Sequence, residues 1–141
     1  MTTVLAHGTF DLLHLGHVRF LEAAKGLGDR LIVSITDDLY VNKKKGMGHP
    51  IFTAQQRKEM LLALRCVDAV MIIREATGCT AIALIHPDIY AKGMDYAGIT
   101  DEVLNTEERE VIQYGGRTVY IPCGDKFSST ELLERLQNVI G

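Results

Sequence analysis

Gly8-Thr9-Phe10-Asp11-Leu12-Leu13-His14-Leu15-Gly16-His17 holds two histidines three residues apart, with Gly8 and Gly16 around them. Imidazole donors at that spacing can follow negative charge onto a phosphoryl oxygen as a transition state develops, which a lysine point charge does less selectively. The preceding residues, Thr3-Val4-Leu5-Ala6-His7, are mostly apolar and stop at Gly8, as a buried parallel strand does. The following residues suit an amphipathic helix: Phe20, Ala24 and Leu27 recur at i, i+4 and i+7 with Leu21 beside them, and Arg19, Glu22 and Lys25 take the other side. His17 therefore falls in or just before the first helical turn, where unpaired N–H groups and a dipole end of roughly +0.5 charge favour an anion. That is a phosphate site in outline. A lone histidine there is more often a cap or a satisfied core residue, whereas two with flanking glycines favour chemistry. A metal site lacks an obviously placed third ligand.

The rest of the chain has to position this turn. Leu31 to Ile35 reads as a second buried strand, after Gly28-Asp29 closes the first helix. Strand, helix, strand implies a right-handed crossover and a parallel pair. Asn42 to Pro50 reads as a polar loop with a lysine cluster, either a solvated surface or a segment that closes over phosphates. Thr53-Ala54-Gln55-Gln56 has capping-box spacing and opens a helix whose buried side is Met60, Leu61 and Leu64, with Arg57 one turn inside. Strands follow at Ala69 to Ile73, Asp88 to Ala91 and Thr118 to Ile121, separated by a short helix at Ala81 to Ile85 and another at Glu107 to Tyr114. Ser128 and Glu131 repeat the capping-box spacing before a terminal amphipathic helix carrying Leu132, Leu133, Leu136, Val139 and Ile140.

Five strands alternating with helices predict an α/β, Rossmann-like, doubly wound parallel sheet of order 3-2-1-4-5, forming a single domain over residues 1–141. Ligands then bind where the two windings part, between strands 1 and 4. That crevice brings the His14 to His17 turn against Lys92-Gly93-Met94-Asp95-Tyr96, with the Ser128 helix start opening onto the same edge. Lys92 and Asp95 offer that crevice both a cation and a directional acceptor, unless Lys92 is a strand-end lysine reaching solvent.

A chain of 141 residues, 47% hydrophobic and 23% charged, is one domain's worth, and its net charge of -3 gives no sign of general nucleic-acid binding. Small-molecule partners are expected, with no nucleic acid and no membrane. Cys66, Cys79 and Cys123 lack C-x-x-C spacing, which argues against a disulfide framework or zinc knuckle and for a reducing compartment. No run approaches the roughly 18 apolar residues of a membrane helix, so a cytoplasmic location is expected.

Gly8-Thr9-Phe10-Asp11 followed by His14-Leu15-Gly16-His17 resembles the signature of the cytidylyltransferase-like nucleotidyltransferases, and the likeness spans nearly the whole chain, weakest between Ala97 and Tyr114. Leu64-Arg65-Cys66-Val67-Asp68 and Pro87 to Tyr96 resemble the heptose 1-phosphate adenylyltransferase pattern. The chain is also similar to the glycerol-3-phosphate cytidylyltransferases. Their Arg-Thr-Glu-Gly run is replaced by Cys123-Gly124-Asp125-Lys126, which counts against glycerol 3-phosphate as acceptor. The resemblance implies transfer of a nucleoside monophosphate to a phosphorylated acceptor, most simply ATP with a heptose or other sugar 1-phosphate, with CTP and a polyol phosphate as the alternative. It implies catalytic roles for His14, His17, Lys44 and Lys45. Nucleotide contacts would come from Gly8, Thr9, Phe10, Gly16, His17, Ser128, Ser129 and Thr130, and acceptor contacts from Asp11, Arg57, Lys92 and Asp95. Mg²⁺ is expected on the triphosphate rather than in a protein cage, and a homodimer is expected. A class I aminoacyl-tRNA synthetase shares the H-x-G-H pattern but needs more chain and a different charge. A regulatory nucleotide-binding module would need only the helix end, without the two histidines.

Overall fold

The computed structural model describes residues 1–75, 77–93, 102–122 and 129–140, excluding the side chains of residues 44, 102–105, 129–133 and 140. The expected Ala97, Asp95 and Ser128 features, and residues 123–127, lie outside this description. The chain runs β1 (Thr3–Gly8), α1 (Leu15–Gly26), β2 (Arg30–Thr36), α2 (Asp38–Lys45), α3 (Ala54–Leu62), β3 (Ala69–Ile73), α4 (Cys79–Ile85), β4 (Ile89–Gly93), α5 (Glu102–Gln113), β5 (Arg117–Ile121) and α6 (Ser129–Ile140). The five strands form one sheet of order β3-β2-β1-β4-β5, and every pairing is parallel. This is the expected doubly wound arrangement, with β1 paired to β2 on one side and to β4 on the other.

Side chains alternate across the pleat, so each strand feeds two cores. Val4 and Ala6 of β1, Val33 and Ile35 of β2, and Ile89 and Ala91 of β4 pack with Leu21 and Ala24 of α1 and Leu61 of α3. On the other face, Leu5, Ile32, Ile73 and Tyr90 pack with Ala81 and Ile82 of α4 and Val111 of α5. Full burial of a Val, Leu or Ile contributes about 1.5–3 kcal/mol, so these paired layers fix β1 between β2 and β4. The C-terminal ends of β1 and β4 consequently open on one edge.

Two local expectations need correcting. The lysine segment expected as a loop begins as helix: Asp37 caps Tyr40 N at 3.1 Å, Asp38 sits in the first turn, and the helix continues through Lys45. It stops at Gly46, whose φ of 89° is the left-handed conformation that glycine tolerates and whose N–H returns to Asn42 O at 2.8 Å. In α3 the capping box forms as expected, with Gln56 N donating to Thr53 Oγ1 at 3.2 Å and Thr53 N donating to Gln56 Oε1 at 3.0 Å. Its buried apolar side is Leu61, however, because Met60 is 38% exposed.

Candidate active site at the switch point

The histidine turn leaves β1 at the switch point and opens α1 by an imidazole version of the capping box. His14 is the N-cap, in extended conformation, and its Nδ1 accepts from Gly16 N at 3.1 Å. His17 reaches back, its Nδ1 accepting from His14 N at 3.3 Å. A neutral imidazole that accepts at Nδ1 carries its proton on Nε2, so the cap fixes the tautomer of both rings. The rings stack 3.8 Å apart at 24°. Burial pushes the His14 pKa below its ordinary value. Burial, reinforced by the neighbouring His14 and Lys45, holds His17 down at about 4. Both are therefore neutral Nε2–H donors near pH 7, at a helix start that itself favours an anion. The capping contacts use the Nδ1 atoms alone, so capping does not occupy the opposite nitrogens of the same rings.

Phe10 sets the position of His17. Its φ of 48° turns the chain sharply after β1, and its ring meets His17 edge-on with centroids 5.3 Å apart. The turn demands glycine at position 8, where a Cβ would lie 2.8 Å from Phe10 Cε2. Thr9, between them, gives its carbonyl to Arg57 Nη1 at 2.9 Å.

Asp11 and Arg57, expected among the acceptor contacts, are built into the frame of the site. Asp11 is buried and accepts from Ile51 N at 2.7 Å and Phe52 N at 2.9 Å. Arg57 is 0% exposed; its Nε donates to Phe52 O at 3.1 Å and its Nη2 to Asp38 Oδ1 at 2.9 Å. One guanidinium thus ties the β1–α1 turn, the start of α2 and the segment before α3 together. The planar fork of arginine suits three acceptors in fixed directions, which a lysine could not satisfy together. Asp38, at the head of the helix that ends in Lys43 to Lys45, belongs to this framework through Arg57, and the sequence reading missed it. Its signal was the acidic pair Asp37-Asp38 directly after a strand. Lys45 lies near enough to His17 for its charge to depress the imidazole pKa, whereas the side chain of Lys44 is outside the described residues.

Lys92 stands at the end of β4, on the far side of the switch point. Its side chain is 13% exposed and its Nζ lies 3.1 Å from Glu107 Oε1 on α5 and 5.3 Å from the centre of the Tyr90 ring. The buried Glu107 carboxylate also accepts from Tyr90 Oη and, at 2.8 Å, from Gly78 N. Lys92 is thus a charge-compensated residue at the crevice edge rather than a solvated strand-end lysine. Glu107 carries no sequence signal, since one glutamate on an acidic helix resembles any other. Ser129 and Thr130 occupy the first turn of α6, with their side chains outside the described residues. Gly16 sits in the first turn of α1, where its N–H serves the His14 cap. Among the described residues no group of three or more His, Cys, Asp or Glu side chains comes together to hold a metal ion. No helix among them is long and apolar enough to cross a membrane.

Comparison with known proteins agrees with this architecture. The chain is 41% identical over 137 residues to the bifunctional protein HldE of Coxiella burnetii, covering 97% of this chain and 28% of that protein. It is 42% identical over 132 residues to HldE of Koribacter versatilis, covering 94% of this chain and 26% of that protein. The chain thus spans little more than a quarter of the relatives it matches. Among solved structures, the lipopolysaccharide core biosynthesis protein of Thermoplasma volcanium superposes with a TM-score of 0.69 at 28% identity, over 91% of this chain and 99% of that one. The cytidylyltransferase-like family model matches residues 5–135, taking in the histidine turn and both sides of the switch point. With relatives this similar beside it, that match decides the question: the chain belongs to the cytidylyltransferase-like nucleotidyltransferases.

Proposed function

We propose that this protein transfers the nucleoside monophosphate of ATP to the phosphate of a sugar 1-phosphate, releasing pyrophosphate. The observation that carries the reading is the reciprocal histidine cap at the switch point, which leaves two neutral rings with Nε2–H donors beside Lys45. An oxygen of the acceptor phosphate attacks the α-phosphorus in line. A new P–O bond forms, the bond to the bridging α,β-oxygen breaks, and pyrophosphate departs with that electron pair. A phosphate is already a competent nucleophile near neutral pH, so the protein supplies orientation and charge stabilisation rather than a strong base. His14 and His17 donate to α-phosphate oxygens as charge builds there. Lys44 and Lys45 neutralise the acceptor and leaving phosphates, while the start of α6 at Ser129 and Thr130, with Ser128 before it, holds the triphosphate tail. Asp11 and Arg57 keep the histidine turn, α2 and the segment before α3 in register. Mg²⁺ carried by the nucleotide rather than by a protein cage would supply further charge neutralisation to the triphosphate, beside Lys44 and Lys45.

The preference for ATP and a sugar 1-phosphate rests on the segments at Leu64 to Asp68 and Pro87 to Tyr96 and on the similarity to HldE proteins. Asp95 extends the acceptor contacts on that reading. The cysteine spacing supports a reducing, cytoplasmic setting, and the family likeness supports a homodimer. A matrix of ATP and CTP against sugar 1-phosphates and glycerol 3-phosphate, read by pyrophosphate release, tests the assignment. Turnover is expected with ATP and a sugar 1-phosphate. Robust release with CTP and glycerol 3-phosphate alone would overturn the substrates and keep the reaction class.

A further inference from the structure

The two faces of the sheet differ at the switch point. On the face covered by α1, the ends of the strands carry Ala6 and Gly8 on β1, Val33 and Ile35 on β2, and Ala91 on β4. On the face covered by α4 and α5, the same ends carry His7, Ser34, Thr36, Tyr90 and Lys92. Central strands of a parallel sheet are normally apolar on both faces, so a polar row here requires a reason. Ser34 is 0% exposed and Thr36 is buried, and both hydroxyls are directed to one ring: His7 Nδ1 lies 2.8 Å from Ser34 Oγ and His7 Nε2 lies 3.4 Å from Thr36 Oγ1. Burying these hydroxyls costs free energy that their hydrogen bonds only offset, where aliphatic residues would pack at no such cost.

The β1/β4 pairing runs through Leu5 with Tyr90 to Ala6 with Ala91, and His7 and Lys92 are the next residues of the two strands, on the same face of the sheet. His7 itself is only partly buried. Carboxylates flank the row at both sides. Glu75, which accepts from Thr77 Oγ1 at 2.8 Å and from Thr80 N at 3.2 Å, is within electrostatic reach of His7, and Glu107 pairs with Lys92. The row is therefore dense in donors and acceptors and close to neutral in charge. An anion gains little there, while the histidine turn and the α2 lysines on the other side of the crevice suit one. A neutral, polyhydroxylated group fits the row's chemistry.

We propose that His7, held at Nδ1 by Ser34 and with Lys92 next along β4, exchanges its long Nε2 contact with Thr36 for a hydroxyl of the acceptor sugar and so determines which sugar phosphate is used. The inference rests on the nucleotidyl-transfer reading above and adds the residue that reads the acceptor. Ser34 is a positioning residue, since it acts through the ring.

The test compares wild type, His7→Phe, His7→Asn and Ser34→Ala in a pyrophosphate-release assay. ATP is paired with a panel of hexose and heptose 1-phosphates and their single-deoxy analogues, and melting temperatures are measured in parallel. His7→Phe should raise the acceptor KM by on the order of 10-fold to 100-fold, the range for a lost hydrogen-bonding partner to a substrate hydroxyl, and should reorder the panel. KM for ATP should stay within about twofold, because that contact lies on the other side of the crevice. His7→Asn, which keeps a polar group, should reorder the panel differently, and Ser34→Ala should raise acceptor KM less than His7→Phe does. If folded His7→Asn and Ser34→Ala keep the wild-type acceptor KM and rank order and only melt earlier, His7 is a satisfied core residue and the inference fails alone. A wild-type protein that releases no pyrophosphate with any pair overturns the function reading, and this inference with it.

Discussion

Replacing Arg57 with Met keeps most of the aliphatic bulk and removes the guanidinium that joins three segments. Thr9 O and Phe52 O would each lose a donor at 2.9 and 3.1 Å. A buried acceptor left unsatisfied costs about 1–3 kcal/mol. Both residues are only partly buried, which favours the lower end of that range for each. The Asp38 side chain is 48% exposed, so water recovers its carboxylate and the broken ion pair adds less than a fully buried one would. Two carbonyls near the lower end, the residue of the ion pair and the disturbed packing sum to about 3 kcal/mol. Unfolding entropy of about 2.1 cal/mol/K per residue then converts the loss to a fall in Tm of about 10 °C. Thermal unfolding followed by circular dichroism, with Arg57→Lys alongside, measures it, and Lys should recover only part because it cannot serve three directions. An acceptor contact would behave differently, raising acceptor KM while leaving Tm alone. A variant that melts with wild type refutes the framework role.

Three further outcomes follow from the same geometry. His17→Ala should lower turnover by on the order of 10²-fold to 10³-fold through loss of a preorganised donor. It should also cost about 1 kcal/mol of stability because the ring is half of the α1 cap, so near-normal saturated turnover would leave His17 a cap alone. His17, with its pKa held at about 4 against an ordinary 6.5, takes up a proton more readily in the unfolded chain. Its contribution to stability is therefore present in full above 6.5 and is lost as pH falls from 6.5 through 4. An NMR titration of the folded protein should show His17 neutral down to pH values near its shifted pKa, and an inflection at the ordinary value would contradict this. Gly8→Ala should push the Phe10 ring off His17 and destabilise the protein by about 1–3 kcal/mol, the usual cost of overpacking. Unchanged melting and turnover would show that the ring yields freely.

The fold was legible because its signals are redundant: apolar runs for the strands, Thr53 and Gln56 for the start of α3, and the spacing of Phe20, Leu21 and Ala24 for α1. Helix α2 was not, since it is short and polar and, among its described side chains, only Val41 is buried, leaving no stripe to read. The turn bearing His14 and His17 could be placed at a helix start, but histidine is not an ordinary capping residue, and the tautomer emerges only from the backbone N–H groups that meet each Nδ1. Arg57 looks like any surface arginine on a helix with polar neighbours. Its burial depends on Thr9 and Asp38, which adjoin different strands and come together only through the parallel crossover. Lys92 was correctly set at the crevice edge by strand order, while its pairing with Glu107 depends on how α5 packs, which spacing does not encode.

The most direct measurement of the central claim is a ³¹P NMR spectrum of the purified protein with MgATP and a sugar 1-phosphate, recorded as the reaction runs. The account predicts a pair of coupled diphosphate resonances from a new nucleoside diphosphate sugar, growing in step with one equivalent of pyrophosphate. Growth of AMP and pyrophosphate without the coupled pair, or an unchanged spectrum with every sugar 1-phosphate offered, would contradict it.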